Sequence, residues 1–433
     1  MKVNKNIAID HLGRVEGHGG IHVEIENGHV SKVNMDIYEG SRFYEELIIG
    51  KRYDEVAGII CRVCAICSAD HLLASQMATE KAFGLKVSRQ TYLLRGLLLH
   101  GSMIESHALH IFALALPDLL GFNSVISMAS KYPKEVSIAL GLKKLGNTVQ
   151  ETIGGRAIHS INPIIGGFGL VPTKDQLIQL KSELEKGLEN ALLTVDLYEK
   201  LLPLPDFADS PTVYTALEPR EPRYSYLGDV IQTSTGDRFA VEDYRKVCHE
   251  RVVSHSTAKQ SLFSNKPFMT GALARINLNH KHLQGKAKET QQRLLPELPS
   301  TNILHNNTAQ LIELIHSIER SIILIDYLLE EGIHPEPPVV VKPRAGRGVG
   351  ALEAPRGTLY HSYEYNEDGI LVDADVITPT AQNLANAEKD LRTAVENLMT
   401  EEKEKLHLSL EMVARAYDPC ISCAVHLVTI EKK

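Results

Sequence analysis

Two cysteine pairs carry the strongest chemical signal in this chain. "CRVCAICSADH" at 61–71 holds Cys64 and Cys67, and "DPCISCAVH" at 418–426 holds Cys420 and Cys423. Each is a Cys-x-x-Cys knuckle, and each is closed by a histidine, His71 and His426. A thiolate pair two residues apart can grip one metal from a single turn, and two pairs supply four sulfurs. Zinc knuckles usually lie close together in sequence, with polar turns around them. Here the pairs stand at opposite ends of a 433-residue chain and border apolar, helix-forming segments. The spacing therefore points to a metal at the centre of the fold. It leaves the metal open: structural zinc fits, and so does an iron–sulfur cluster on Cys61, Cys64, Cys67 and one later cysteine. Cys248 has no neighbour of its kind and reads as a small buried hydrophobe.

The elements that must bring the two knuckles together are mostly helices. "IHVEIENGHVSKVNMDI" alternates apolar residues about an Asn27-Gly28 turn and predicts a hairpin. Helical patterning runs from about 68 to 150, centred on Arg89–Leu116, until a Gly/Pro-rich stretch at 153–173 breaks it. Thr173 caps a helix predicted to reach about 202. Short strands are expected at 210–275 with a polar helix around 241–255, then helices near 278–293 and 306–331. Strands and turns return before 380, with a hairpin at Asn366–Gly369, and helices at 380–416 deliver the second pair. The expected fold is mainly α with small β-sheets, a central helical bundle with peripheral sheets in one domain spanning 1–433. Within it, 1–67 forms a β-rich lobe with the first pair. Residues 68–335 form the bundle, with its inserted β segment, and 336–433 carry a β segment, helices and the second pair.

Composition narrows the function. Six cysteines in a chain of this length do not make a disulfide framework. A net charge of -8 leaves no footprint for nucleic acid. "MKVNKNIAIDHLG" has no apolar leader core, and "HIFALALPDLLGF" at 110–122 is too short, and too interrupted by Pro117 and Asp118, to span a bilayer. A cytoplasmic protein is the expectation.

With the flanks added, the chain resembles the large subunit of nickel–iron hydrogenases. Both cysteine motifs fit, as do "GRVEGHGG" at 13–20, "SRFYEELIIGK" at 41–51, "SHALHIFALALPDLLGF" at 106–122, "GGRAIHSINPIIGGFG" at 154–169 and "EAPRG" at 353–357, in family order from end to end. The resemblance implies the hydrogenase large-subunit fold and a nickel–iron centre whose iron carries one CO and two cyanides. By it, Cys64 and Cys420 are terminal on nickel, while Cys67 and Cys423 bridge to iron. It makes Glu16 the proton carrier beside Cys420, and a carboxyl in an apolar setting suits such a relay. Arg356 is the guanidinium over the metals, oriented by Asp118 and Asp418. Pro355 and Thr380 line the diatomic ligands, with Thr380 donating to a cyanide, and His71 hydrogen-bonds a cysteine sulfur. A second metal, Mg2+, is implied at Glu45, the carbonyl of Val376 and His426. His107 and His110 are read as structural.

Three departures from the family pattern stand out: Ala65 where glycine is usual, Ser160 where proline is frequent, and only "LVTIEKK" after His426, where most members lose a tail to a protease. The implied reaction is reversible heterolytic cleavage of H2 to protons and electrons. Electrons would leave through an iron–sulfur small subunit, then through further flavin or iron–sulfur subunits, to a soluble carrier such as NAD(P), ferredoxin or a deazaflavin. An H2-sensing subunit keeps the same site. The quinone-pocket subunit of respiratory complex I shares the ancestry but lacks the cysteines, all four of which stand here.

Overall fold

Apolar alternation near the N-terminus makes an antiparallel sheet, β1 (Lys5–Ile9), β2 (Gly19–Glu26) and β3 (His29–Ile37), paired in that order. Ile21, Val23 and Ile25 of β2 and Val33, Met35 and Ile37 of β3 point inward and are buried. Asn27 and Gly28 join the strands with φ of 54° and 81°, the positive values that an Asn-Gly hairpin turn requires. The computed structural model describes residues 4–425.

Helices then dominate. α1 (Ser68–Phe83) starts directly after Cys67, and α2 (Arg89–Leu109) is capped by Ser88, whose Oγ accepts from the Thr91 N–H at 3.0 Å. The apolar run continues past Leu109 as a π turn at His110–Ala115. α3 (Pro133–Gly154) follows, and α4 (Lys174–Glu199) opens at Thr173, which forms a capping box with Gln176. A mixed sheet comes next. β4 (Val213–Glu218), β5 (Val230–Thr233), β6 (Arg238–Ala240) and β7 (Phe268–Met269) lie in the order β7-β4-β5-β6, with β7 parallel to β4. After it run α5 (Ala272–Asn279), α6 (Gly285–Leu294) and α7 (His305–Glu331). The bundle core is α2 against α3 and α7, with α4 closing the far side of both.

Two expected helices differ. The one at 241–255 is a short 3-10 segment, Val241–Lys246, followed by a strand, His249–Arg251, that pairs with Gln260–Leu262. Val252 and Val253 lie just beyond that strand, and β-branched residues favour extended backbone there. The helix at 278–293 divides at Leu283–Gln284, because the Glu319 carboxylate of α7 accepts from the N–H groups of Lys286 (2.7 Å) and Ala287 (3.0 Å) and caps a new start.

β8 (Gly346–Ala354), β9 (Gly357–Tyr365) and β10 (Leu371–Ile377) form a three-stranded meander. β8 lies directly on α1: a Cβ at Gly350 would stand 2.1 Å from the Ala74 carbonyl oxygen, and one at Gly348 2.2 Å from that of Ala78. Only glycine permits this approach, which seats the strand leading to Arg356 on the helix leading from Cys67. α8 (Pro379–Leu398) and α9 (Lys403–Ala416) bring the chain back to the second cysteine pair. The protein is mainly helical with small sheets, as expected, and no helix among the described residues is long and apolar enough to cross a membrane.

Candidate metal centre

The two knuckles meet in the core. Cys64 Sγ lies 3.4 Å from Cys420 Sγ, Cys67 Sγ 3.3 Å from Cys423 Sγ, and Cys420 Sγ 2.8 Å from Cys423 Sγ. All four sulfurs are within 4.8 Å of one another and buried. Ala65 takes no positive φ, so the first knuckle closes without the freedom of glycine. Hydrogen bonds from Cys420, Cys423 and Cys67 pull the Cys64 thiol well below its ordinary range. Burial, then the neighbouring sulfurs, push Cys423 well above it. The pocket thus tolerates part of its potential charge by itself, and four thiolates together call for a multivalent cation. Cys61 and Cys248 stand outside the cluster.

Arg356 reaches the cluster from a tight turn. β8 and β9 pair Ala354 with Gly357, so Pro355 and Arg356 form the two-residue tip of a hairpin, closed by Gly357 at φ 135°. The guanidinium Nε donates to the Asp418 carbonyl at 2.6 Å, and Nη2 donates to Asp418 Oδ1 at 2.9 Å. Asp418 sits at φ 51° just past α9, and its Oδ2 accepts from Gln310 Nε2 at 3.1 Å. Burial opposes the arginine's charge, but Asp418 and the sulfurs of Cys420, Cys67 and Cys64 hold its pKa well above the ordinary value.

Asp118 does not share this task. Its carboxylate accepts from Arg415 Nε (2.8 Å) and from Arg14. Arg415 also donates to the Gly13 carbonyl at 3.0 Å, and Arg14 to that of Leu114 at 2.8 Å. Asp118 therefore ties the loop carrying Glu16 to α9, so it braces the second knuckle rather than Arg356.

Thr380 Oγ1 accepts from the Cys420 N–H at 3.0 Å, which leaves its own proton free to donate elsewhere. His71 Nδ1 lies 3.0 Å from His361 Nε2. Together with Cys67, Cys423, Pro355 and Arg356, both residues line a cavity of about 10 Å³, which is room for one water-sized molecule. Apolar walls, a few donors and four thiolates fit a compact metal group with diatomic ligands.

Glu16 pairs with Cys420 in a short bridge, and its carbonyl accepts from the Ile421 N–H at 3.0 Å. Its carboxylate accepts from the Ser422 N–H at 3.0 Å and from the Ser422 hydroxyl. Gly17 permits the approach: at φ 92°, a Cβ there would stand 2.6 Å from Ile421 Cβ. Glu45 is half-buried beside β10, where the Val376 N–H donates to its Oε1 at 2.8 Å, and desolvation pushes it up to about 7. His426 lies outside the described residues. His110 is bonded through Nδ1 to Gln310 and through Nε2 to the Arg415 carbonyl, and His107 Nε2 lies 2.9 Å from Glu313.

Sequence reasoning missed three features. The Ser422 hydroxyl also lies 3.1 Å from Glu39 Oε1, so one proton serves two carboxylates. Asp70, one turn after Cys67, is fully buried and bonded by Ser102 Oγ at 2.7 Å; burial raises it to about 8. Arg275, Glu313 and Glu353 form a buried cluster behind the Arg356 turn. Asp70 alone had a signal, its place one turn into a helix, and that is also where an ordinary capping acid sits.

Four buried thiols beneath one guanidinium define a thiolate-ligated metal enzyme. A family model described as nickel-dependent hydrogenase matches residues 42–157 and 246–426. The chain is 43% identical over 425 residues to the alpha chain of sulfhydrogenase 1 from Pyrococcus furiosus, covering 98% of each. It is 30% identical over 417 residues to a subunit of the vhu F420-non-reducing hydrogenase of Methanocaldococcus jannaschii, covering 90% of this chain and 98% of that one. Among solved structures, an NAD+-reducing NiFe-hydrogenase in the H2-reduced state superposes with a TM-score of 0.88 at 27% identity, covering 98% of this chain and 100% of the other. The chain belongs to the nickel-dependent hydrogenase family, as the catalytic large subunit of a nickel–iron hydrogenase, an oxidoreductase acting on H2.

Proposed function

We propose that Cys64, Cys420, Cys67 and Cys423 would together hold a nickel–iron group, which would supply the heterolytic cleavage of H2, and that Glu16 is the way out for protons. When bound, a nickel–iron pair with CO and cyanide on the iron supplies the redox and Lewis-acid chemistry of H2 cleavage. The chain's own residues do the rest. Arg356, forked on Asp418, presents a fixed charge to the small cavity, with Pro355 and Thr380 forming its wall. Glu16, against Cys420, takes a proton from the sulfur side. Ser422 passes it by rotating its hydroxyl between Glu16 and Glu39. The Glu39 side chain is itself 14% exposed, so a proton it receives can pass to water.

The observation that carries this reading is the contact of Glu16 with the Cys420–Ser422 turn. Glu16→Gln tests it. The variant should hold native nickel and native CO and CN infrared bands while H2/D2 exchange falls at least about a hundredfold; native exchange would reject the relay.

Mg2+ belongs to the same reading, at Glu45, the Val376 carbonyl and His426. There the Glu45 carboxylate would join a hydrated divalent cation, oxygen-rich ligation that suits Mg2+. Electrons pass to an iron–sulfur subunit, with further flavin or iron–sulfur subunits beyond it and NAD(P), ferredoxin or a deazaflavin at the end. The loop at 156–161 supports a partner close by: the His159 N–H donates to Ser68 Oγ, next to Cys67, while flanking Ile158 and Ile161 are 46% and 53% exposed. The cytoplasm is the compartment proposed, one that keeps six unpaired thiols reduced.

A further inference from the structure

A second polar cavity, of about 200 Å³, opens near the start of α2, between that helix, the segment after β4 and α7. Ser106 Oγ, 3.5 Å from Arg356, stands at the other end of α2. From His100, the α2 wall residue nearest Ser106, to Ser106 is about 9 Å along the helix, and no residue lines both this cavity and the one beside the cysteines.

Four arginines reach this cavity: Arg89, Arg220, Arg223 and Arg320. Three are matched by carboxylates, Arg89 by Glu331 (2.8 Å), Arg220 by Asp229 (2.6 Å) and Arg223 by Glu221 (2.5 Å). Arg320 has no salt bridge among the described residues; its guanidinium rests 5.9 Å from the centre of the Tyr327 ring. Two histidines stand behind the arginines. His100, 7% exposed, lines the cavity, and His316, 8% exposed, lines a smaller one that shares Arg223, Tyr224 and Arg320. Their rings are 5.7 Å apart, and neither His100 Nδ1 nor His316 Nε2 has a hydrogen-bond partner among the described residues. Burial first, with the charge of Arg320 adding to it, holds both imidazoles neutral, His316 down at about 4.

Buried, unpartnered ring nitrogens are unusual in a folded chain and call for an explanation. So does a surplus guanidinium facing a cavity. One ligand class answers both. We propose that a phosphate group binds at the arginines this cavity shares with the smaller one, with Arg320 and Arg223 supplying charge, His100 a neutral N–H donor from the larger cavity and His316 one from the smaller. Guanidinium forks match phosphate oxygens, and a tetrahedral group offers acceptors to donors arriving from several sides. An apolar trough of about 150 Å³ continues the cavity past Tyr92, Leu99, Arg220 and Leu227, with Leu73, Met77 and Leu352 in its walls. It has the character to hold the organic body of a phosphate ester.

Calorimetric titration of the assembled hydrogenase with inorganic phosphate, and separately with phenyl phosphate, tests the assignment. Native enzyme should show saturable uptake that Arg320→Met weakens at least about tenfold, with H2 oxidation retained. Arg223→Met, at a second position, should weaken it as well. Tighter binding of phenyl phosphate would identify an ester as the ligand; equal binding would identify free phosphate. No saturable uptake by native enzyme, or uptake unchanged in both variants, would overturn the proposal.

Discussion

Replacing Arg275 by methionine should destabilise the protein by several kcal/mol and loosen the turn that holds Arg356. Arg275 is fully buried on α5. It donates to both oxygens of Glu313 at 2.7 Å, to Glu353 Oε2 at 3.0 Å, and to the carbonyls of Ala354 (2.9 Å) and Pro355 (3.0 Å). Those carbonyls immediately precede Arg356. Burial works to raise Glu313, but Arg275 and then His107 hold it well below the ordinary carboxylate range; burial leads for Glu353 and raises it. The cluster is thus one cation facing two carboxylates, with Glu313 held lowest by Arg275 and Glu353 raised by burial. Methionine preserves the apolar stem and leaves Glu313 a buried charge without its arginine, with the His107 and Tyr224 contacts remaining. Breaking such a pair costs about 3–5 kcal/mol, and each orphaned carbonyl about 1–3 kcal/mol. The terms overlap, so about 4 kcal/mol, the middle of the first range, is the working figure. With an unfolding entropy of about 2.1 cal/mol/K per residue, this 433-residue chain loses roughly 4–5 °C of apparent melting temperature. Calorimetry at a fixed scan rate reads that shift, and H2/D2 exchange reads the displaced Arg356. Adding Glu313→Leu should recover part of the loss by removing that charge. A single variant melting within about 1 °C of native, the range of a neutral surface change, would refute the account.

Other outcomes follow from the same geometry. The Glu313 pKa lies below its unfolded value of 4.5, so its contribution is present above that pH and lost as pH falls below it; an acid titration of stability should lose that slope in Arg275→Met. Arg356→Lys replaces the fork on Asp418 by a point charge, and steady-state H2 oxidation should fall about a hundredfold with nickel content retained. Cys423→Ser removes one of four sulfurs, and elemental analysis should find the chain depleted in nickel. Ser422→Ala deletes the hydroxyl between Glu16 and Glu39, so H2/D2 exchange should slow at least about tenfold while the CO and CN bands stay native.

What could be read from the sequence divides along the range of the interactions involved. The β2–β3 turn is written in two adjacent residues, Asn27 and Gly28, and the start of α4 in Thr173 and Gln176. Such local chemistry is visible in any window that contains it. The cysteine knuckles are local too; their spacing points to one metal at the centre of the fold, and only the identity of that metal needed the family resemblance. The helix expected at 278–293 failed because its break is imposed from outside, by Glu319 of α7 capping Lys286 and Ala287. Asp118 misled for a related reason. Its motif survives in sequence, but which arginine it serves depends on where Arg14 and Arg415 arrive, and neither lies near it in the chain.

The buried cluster behind Arg356 is the extreme case. Arg275, Glu313 and Glu353 belong to α5, α7 and β8, and each in its own window looks like an ordinary surface charge on an amphipathic element. They converge because the bundle and the β8–β9 sheet are packed against each other, and there the low dielectric makes their pairing strong and their separation costly. The cysteines supply the metal donors, but the placement of the guanidinium over them is settled one layer further out. A hairpin of two residues has little stiffness of its own. Its carbonyls, held by Arg275 on one side, and its arginine, held by Asp418 on the other, make Pro355 and Arg356 a clamped span rather than a free tip. Preorganisation of this kind lets a fixed charge act on a reacting group without first having to be ordered, which is why Arg275→Met should slow exchange even though Arg275 is not among the residues lining the cavity beside the cysteines.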